Sequence, residues 1–523
     1  MRRSLFAAFL VITPVVRAQA PAVWETVGVP GVSDGAGICC QIAVSPANVP
    51  VIAFQDQSLG GINASALRFE QGAWTYESAK GAASVGQAWY TRLAFSNTGE
   101  LYMACRDYAS SGRISIRHFD AAANAWSTIG PTGSSPLEAH YTDIAIAPDG
   151  TPVVVYTDHS TVPEAKATCM SFYGGFWHVL GGFGFSPSTA AYTTVAVDGA
   201  GTIYAAFSDV SAYDAATGAG RATVMRYDAP SNSWSTVGPP GFTPHGALNV
   251  SLELDRDGRP WIAYYVWRTQ LVVMRFDGTA WVTVGGSASG ADRPEMQTEG
   301  WRQWLSLAFD SQNVPYIAYQ RLDDGNRAAV RRFRNGVWEP VGNLGFSAGA
   351  ADYMSMALGT DDVPYVVFRD AGNLQRVRVM RFAPSPQSYC VGVVNSRGCL
   401  PVIAGSGTPS ASSPNPFWIT GTNVISNRTG ILLFGTRPDR TPFQGGTLCL
   451  GLPFRRGGTL NSGGNLTGPD CSGVLQRDFN LILRGGHHPD LLPGVNVFAQ
   501  YFYRDQQNPL GPGLTDALRF TIE

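Results

Sequence analysis

Between residues 24 and 383 short apolar runs alternate with polar turns in one fixed order that recurs along the chain. A light run comes first, as in Gln41-Ile-Ala-Val44, Asp143-Ile-Ala-Ile146, Thr194-Val-Ala-Val197 and Ser306-Leu-Ala-Phe309. A turn follows, such as Pro148-Asp-Gly150 or Asp255-Arg-Asp-Gly258, whose Gly, Asn and Asp tolerate the positive φ of tight hairpins. Next comes a dense run: Pro50-Val-Ile-Ala-Phe54, Pro152-Val-Val-Val-Tyr156, Pro315-Tyr-Ile-Ala-Tyr319 or Pro364-Tyr-Val-Val-Phe368. Near-continuous apolar runs of this length predict strands covered on both faces. A third, alternating run follows, as in Ile114-Ser-Ile-Arg-His-Phe119 or Val272-Val-Met-Arg-Phe276, and then a strand led by tryptophan.

That last strand carries the clearest signature. It reads Trp24-Glu-Thr-Val-Gly28, Trp126-Ser-Thr-Ile-Gly130, Trp177-His-Val-Leu-Gly181, Trp234-Ser-Thr-Val-Gly238, Trp281-Val-Thr-Val-Gly285 and Trp338-Glu-Pro-Val-Gly342, with a degenerate copy at Trp74-Thr-Tyr-Glu-Ser78. Successive tryptophans lie 47 to 57 residues apart, a period at which one unit cannot bury its own apolar face and must stack on neighbours. Four strands per unit predict the blade of a β-propeller. The first three strand types occur seven times, and the seventh set has no tryptophan strand after it, whereas Trp24–Val27 precedes the first. A seven-bladed propeller over 21–383 is therefore expected, with the N-terminal strand completing the last blade so that no sheet edge stays open.

Composition agrees with an all-β chain: of 523 residues 60 are Gly and 34 Pro, and charged residues are 15%. The formal net charge of -2 argues against nucleic acid or an anionic membrane as partner, since either calls for a basic patch. No internal stretch approaches the roughly 18 apolar residues of a membrane span. At the start, Arg2-Arg3, the apolar Leu5–Val16 and the small-x-small Ala18-Gln-Ala20 read as an export signal over 1–20, giving a secreted or cell-surface protein. A monomer is expected.

After Ala383-Pro-Ser-Pro386 the repeat stops, yet strand-like runs continue: Phe417–Thr420, Ile431–Phe434, Phe479–Leu483, Val495–Ala499 and Leu518–Ile522. These predict a small β-sandwich over 384–523. Cys390 and Cys399 bracket one short loop and Cys449 and Cys471 another, so local disulfide pairing is expected, with zinc the weaker alternative. In the repeat, Cys105 stands where other units have Phe54, Tyr156 and Phe207, as an apolar filler; adjacent Cys39 and Cys40 are either free or a vicinal disulfide.

The motifs Tyr389-Cys390, Asn395-Ser-Arg-Gly-Cys399, Gly407-Thr-Pro-Ser410, Phe443-Gln-Gly-Gly-Thr-Leu-Cys449 and Asp470-Cys471-Ser-Gly473 occur in order. In them the region 386–523 resembles a C-terminal domain found on many large exported proteins of planctomycete-type bacteria. The resemblance implies an exported or surface-associated protein with an attachment or sorting module, and no assigned chemistry. The repeat region resembles bacterial seven-bladed repeat propellers in general.

Three features map to the propeller face where ligands usually bind. The position before each innermost strand reads Cys39, Tyr90, Tyr141, Tyr192, Asn249, Trp304 and Tyr353; such a ring of aromatics either stacks on sugar rings or packs between blades. An aspartate closes the second strand at Asp56, Asp107, Asp158, Asp209 and Asp370, with Val266 and Arg321 in the other two units. Five carboxylates could hold Ca²⁺, but capping of each turn accounts for the repetition without a ligand. Lastly, His140, His159 and His245 fall in loops of that face, with Tyr141 and the arginines Arg92, Arg293 and Arg302 as further parts of a uronate-cleaving lyase. No nucleophile elbow, zinc-protease or nucleotide fingerprint is present. The leading expectation is a non-catalytic protein that binds a glycan or an extracellular protein, followed by a carbohydrate-active enzyme (lyase before hydrolase) and a structural surface component.

Overall fold

A computed structural model describes residues 22–522, apart from 71–72, 267–269, 288–304, 385, 408, 414, 493–494 and 509–510. The export signal at 1–20, Trp304, Arg293 and Arg302 lie outside the described residues. The chain divides into a unit spanning Trp24–Ala383 and a second that holds Pro384–Glu523.

The first unit consists of antiparallel four-stranded sheets, seven among the described residues. The second of them is representative: Ala88–Phe95, Leu101–Asp107, Arg113–Asp120 and Ala125–Thr128 pair in chain order from the innermost strand outwards. The dense second strands are buried throughout, as in Pro152–Asp158 and Pro364–Asp370. The last sheet takes its fourth strand from the start of the chain: Ala22–Thr26 pairs with Arg376–Pro384, and Val27 N–H donates to the Val379 carbonyl at 2.9 Å. Each innermost strand packs against that of the next sheet, and Ala351–Leu358 of the seventh packs against Gly37–Val44 of the first.

The tryptophan signature has a single physical cause. Every one of the seven indole N–H groups donates to a backbone carbonyl in the preceding sheet's tryptophan segment: Trp74 to Val27, Trp126 to Glu77, Trp177 to Ile129, Trp234 to Leu180, Trp281 to Val237, Trp338 to Val284 and Trp24 to Val341, at 2.7–3.1 Å. The indole thereby buries a large apolar surface while its one donor stays satisfied. Six of the seven acceptors are followed by a glycine with φ between 68° and 77°, and a Cβ there would lie 2.4–3.1 Å from the next tryptophan ring; Ser78 follows the seventh at φ 72°. Only glycine meets both demands without strain.

In the second unit a five-stranded sheet (order Gln387–Tyr389, Gly513–Thr521, Asn496–Tyr503, Thr429–Gly435, Arg455–Asn461) and a three-stranded one (Val402–Ser406, Trp418–Val424, Gly473–Asp478) share one core. Ile403, Ile419 and Leu475 meet Leu432, Val497 and Leu518 there.

Two expectations for this unit are corrected. The strand-like run at Phe479 is a helix, Phe479–Arg484, capped by the Asp478 carboxylate, which accepts from Asn480 N–H at 3.0 Å. The disulfides join distant segments, Cys390 to Cys449 and Cys399 to Cys471, in place of local pairs. Cys39, Cys40, Cys105 and Cys169 are buried free thiols.

Candidate functional site

The innermost strands surround a cavity of about 420 Å³, and its wall has levels set by strand register. At the outer level six of these strands carry a β-bulge, seen as a register shift in the first, second, third, fourth, fifth and seventh sheets. The residue in that bulge is Cys39, Tyr90, Tyr141, Tyr192, Asn249 or Tyr353, and all six adopt left-handed backbone angles, φ 46–55°. A bulge re-aims a side chain, and a non-glycine residue held at positive φ carries strain of order 1–3 kcal/mol that surrounding contacts must sustain. Those contacts are visible: the hydroxyls of Thr91, Thr142 and Thr193 donate to the carbonyls of Cys39, Tyr90 and Tyr141 in the preceding sheet at 2.6–2.8 Å.

Three of these tyrosines form a row across adjacent sheets. The rings of Tyr90 and Tyr141 lie 5.3 Å apart and those of Tyr141 and Tyr192 4.8 Å, each pair tilted by about half a right angle. All three line the cavity and are half-buried, and burial raises the pKa of each phenol above its usual range. Tyr192 also packs against the core between the fourth and fifth sheets. Tyr353 likewise joins a core cluster, and the Arg369 guanidinium sits 5.0 Å from its ring centre. Tyr192 thus packs against the core at one end of the row, whereas Tyr90 and Tyr141 line the cavity outside the core clusters. Cys39 is a buried thiol, pushed up to about 11 by desolvation.

Beside the row stand two of the three sequence-picked histidines. The His140 and His159 rings are 4.2 Å apart, and His140 lies 6.0 Å from Tyr90 and 6.4 Å from Tyr141. Arg106, which sequence reasoning passed over, approaches His140 Nε2 through Nη1 at 2.8 Å and donates to the Glu138 carboxylate through Nη2 at 2.8 Å. Burial, then the Arg106 charge, then His159 hold His140 below the ordinary histidine range. A neutral imidazole suits a base, yet the guanidinium occupies the lone pair that a base would use. His245 is elsewhere, with Nδ1 3.6 Å from the Asp214 carboxylate.

One register step inwards the wall is polar: Gln41, Arg92, Asp143, Thr194, Ser251, Ser306 and Ser355. Asp143 accepts from the Thr194 hydroxyl at 2.8 Å and Val195 N–H at 3.0 Å, and Arg92 Nε lies 3.4 Å from its other oxygen. Burial raises its pKa and Arg92 opposes the rise. Two residues further along the fifth sheet's inner strand is Glu253, pushed up to about 8 by burial first and by the Asp143 charge second. Neither carboxyl was singled out from the sequence. The signal was there for Glu253, because the equivalent position is alanine in the other six strands.

The five repeated aspartates do not converge on the cavity. Each is fully buried in its own sheet, and each Oδ1 accepts from the backbone N–H two residues on, that of Ser58, Ala109, Ser160, Ser211 or Gly372, at 2.9–3.0 Å. The second oxygen takes Ser65, Thr168 or Thr223 hydroxyls in three sheets and lies 2.7 Å from Arg378 Nε in the seventh. In these contacts they act as turn caps. Val266 and Arg321, at the same place, make no such cap; Arg321 pairs with Asp323 at 3.0 Å.

No protein-family model and no curated protein matches the chain. Among solved structures it is similar to a fungal lectin from Aleuria aurantia with a six-bladed β-propeller fold and fucose recognition, at 16% identity and a TM-score of 0.39, over 63% of this chain and 98% of that one. It is also similar to a fungal alcohol oxidase of the AA5 family in complex with copper (10% identity, TM-score 0.44, 95% and 99% covered). A third is a protein of unknown function from Dyadobacter fermentans (10%, 0.39, 70% and 98%). At such scores none of these likenesses decides function.

Proposed function

We propose that residues 24–383 form a seven-bladed β-propeller whose central mouth recognises a glycan, with Tyr90, Tyr141 and Tyr192 as the stacking surface and Tyr353 at the same register position. The carrying observation is the tyrosine row held on bulges with positive φ around the cavity. Strain maintained at the same place in successive repeats calls for a use, and aromatic faces beside polar groups match the C–H faces and hydroxyls of a sugar. Two disulfides fit an oxidising compartment outside the cytoplasm, in keeping with the export signal read at 1–20. Binding is favoured over cleavage, because Arg106 occupies His140 and burial keeps the tyrosines protonated.

The test is a glycan array probed with the purified chain, run beside an ultraviolet assay for unsaturated uronate products. Binding without product is the expected result. Product formation would overturn the binding reading and turn attention to His140, His159 and Tyr141; silence on both would leave a protein partner or a structural surface role.

A further inference from the structure

Glu253 breaks the pattern of the cavity wall in a chemically specific way. In the register that pairs it with Trp261, the other six inner strands place Ala43, Ala94, Ala145, Ala196, Ala308 and Ala357. Ala43, Ala308 and Ala357 line the cavity together with the Glu253 carboxyl. Among the described residues that carboxyl makes no hydrogen bond or ion pair, whereas nearby Asp143 is already matched by Thr194, Val195 and Arg92.

A carboxyl removed from water without a partner is held protonated or is paired with a cation. Burial and then the Asp143 charge push Glu253 up to about 8, and Arg92 is the cation of that wall. A divalent metal is a poor match for the second. Calcium takes roughly six to eight oxygen ligands, and no group of three His, Cys, Asp or Glu side chains comes together for a metal among the described residues. An ammonium group asks for only three acceptors, and hydroxyls at Ser251, Ser306 and Ser355 stand one register level away from the carboxylate. The volume of about 420 Å³ lies in the range of roughly 300–1,000 Å³ usual for small-molecule sites.

We propose that the central cavity receives the protonated amine of a terminal amino sugar, with Glu253 as its counter-ion. This rests on the glycan reading and narrows it to a cationic sugar at a chain end. Binding then proceeds with proton balance: the bound ammonium keeps its three hydrogens, and the Glu253 carboxyl releases its one proton to solvent as the ion pair forms.

Calorimetric titration of the full chain with glucosamine, N-acetylglucosamine, glucose and calcium chloride, near neutral pH and in two buffers of different ionisation enthalpy, tests the proposal. Glucosamine is expected to bind at least about tenfold more tightly than either neutral sugar, the effect of one moderate ion pair, and its heat should depend on the buffer because a proton is released. Glu253→Gln should abolish the preference and the buffer dependence. Glu253→Ala installs the residue carried by the six sister strands, so it separates loss of the counter-ion from failure to fold. Equal affinity for all three sugars, or a preference that survives in Glu253→Gln, would overturn the cationic reading and leave glycan recognition standing. Calcium binding that disappears in Glu253→Gln, with no sugar preference, would overturn it in favour of a metal. Absence of binding by every sugar, here and on the array, would overturn both.

Discussion

At the scale of single residues, the repeat signature was legible as a pattern and illegible as a cause. Trp-x-x-x-Gly announced a repeat, but only the fold brings each indole onto the carbonyl just before the preceding sheet's glycine. The glycine is fixed by its neighbour across the sheet boundary as much as by its own φ. At Gly181, φ is 73° and a Cβ would meet Trp234 at 2.4 Å, so Gly181→Ala should destabilise the first unit by about 1–3 kcal/mol in denaturant unfolding. The copy at Ser78 gives the comparison: it keeps φ 72° without glycine, and its Trp126 bond is the longest of the seven at 3.1 Å. Glu253 makes a second residue-scale prediction. Its pKa is raised on folding, so its contribution to stability is complete below the ordinary carboxylate range, near 4.5, and is lost as pH rises through about 8. The melting temperature of the free protein should therefore fall between mildly acidic and mildly alkaline pH, and Glu253→Gln should flatten that slope; an unchanged slope contradicts the assignment.

At the scale of elements, the strands of the repeat followed from alternation and turn chemistry, and so did the pairing of the N-terminal strand with the last sheet. That strand is fixed by several contacts at once. Trp24 stacks on Phe346 at 3.9 Å and donates to Val341, and Glu25, nearly fully buried, pairs with Arg381 at 2.7 Å. Deleting residues 22–28 removes these and exposes the edge of Arg376–Pro384, so the melting temperature of the first unit should drop sharply; an unchanged value would show that the sheet does not need the strand. The second unit was less legible. Phe479–Leu483 alternates like a strand because Leu481 is exposed, yet Phe479, Asn480 and Leu483 are the buried positions, which is a helical spacing. Asp478 before the run and Gly485-Gly486 after it were the available signals. The disulfides were misread because closeness along the chain stood in for closeness in space: the linked cysteines are 59 and 72 residues apart, brought together by sheets that no local spacing encodes.

At the scale of the whole first unit, the repeat has two different outcomes at its two radii. At the outer radius it is kept strictly, as seven tryptophan bonds of one kind. At the inner radius it is broken on purpose-built bulges: Tyr, Cys and Asn share one backbone geometry while their side chains differ, and a single glutamate interrupts a level of alanines. The aromatic positions were readable from the sequence because they align unit by unit. Arg106, Glu138, Asp143 and Glu253 were not read, since their roles arise between sheets. Repetition therefore accounts for the scaffold, and departures from repetition line the candidate site.

The most direct measurement of that account is the glycan affinity and the melting temperature of the double variant Tyr90→Ala, Tyr141→Ala, set beside Tyr192→Ala. The account predicts that the double variant loses glycan binding by at least about tenfold with little change in stability, because its rings face the cavity, whereas Tyr192→Ala also lowers the melting temperature through its place in the core. A double variant that binds glycan as well as the parent, or that unfolds as readily as a core truncation, would contradict it.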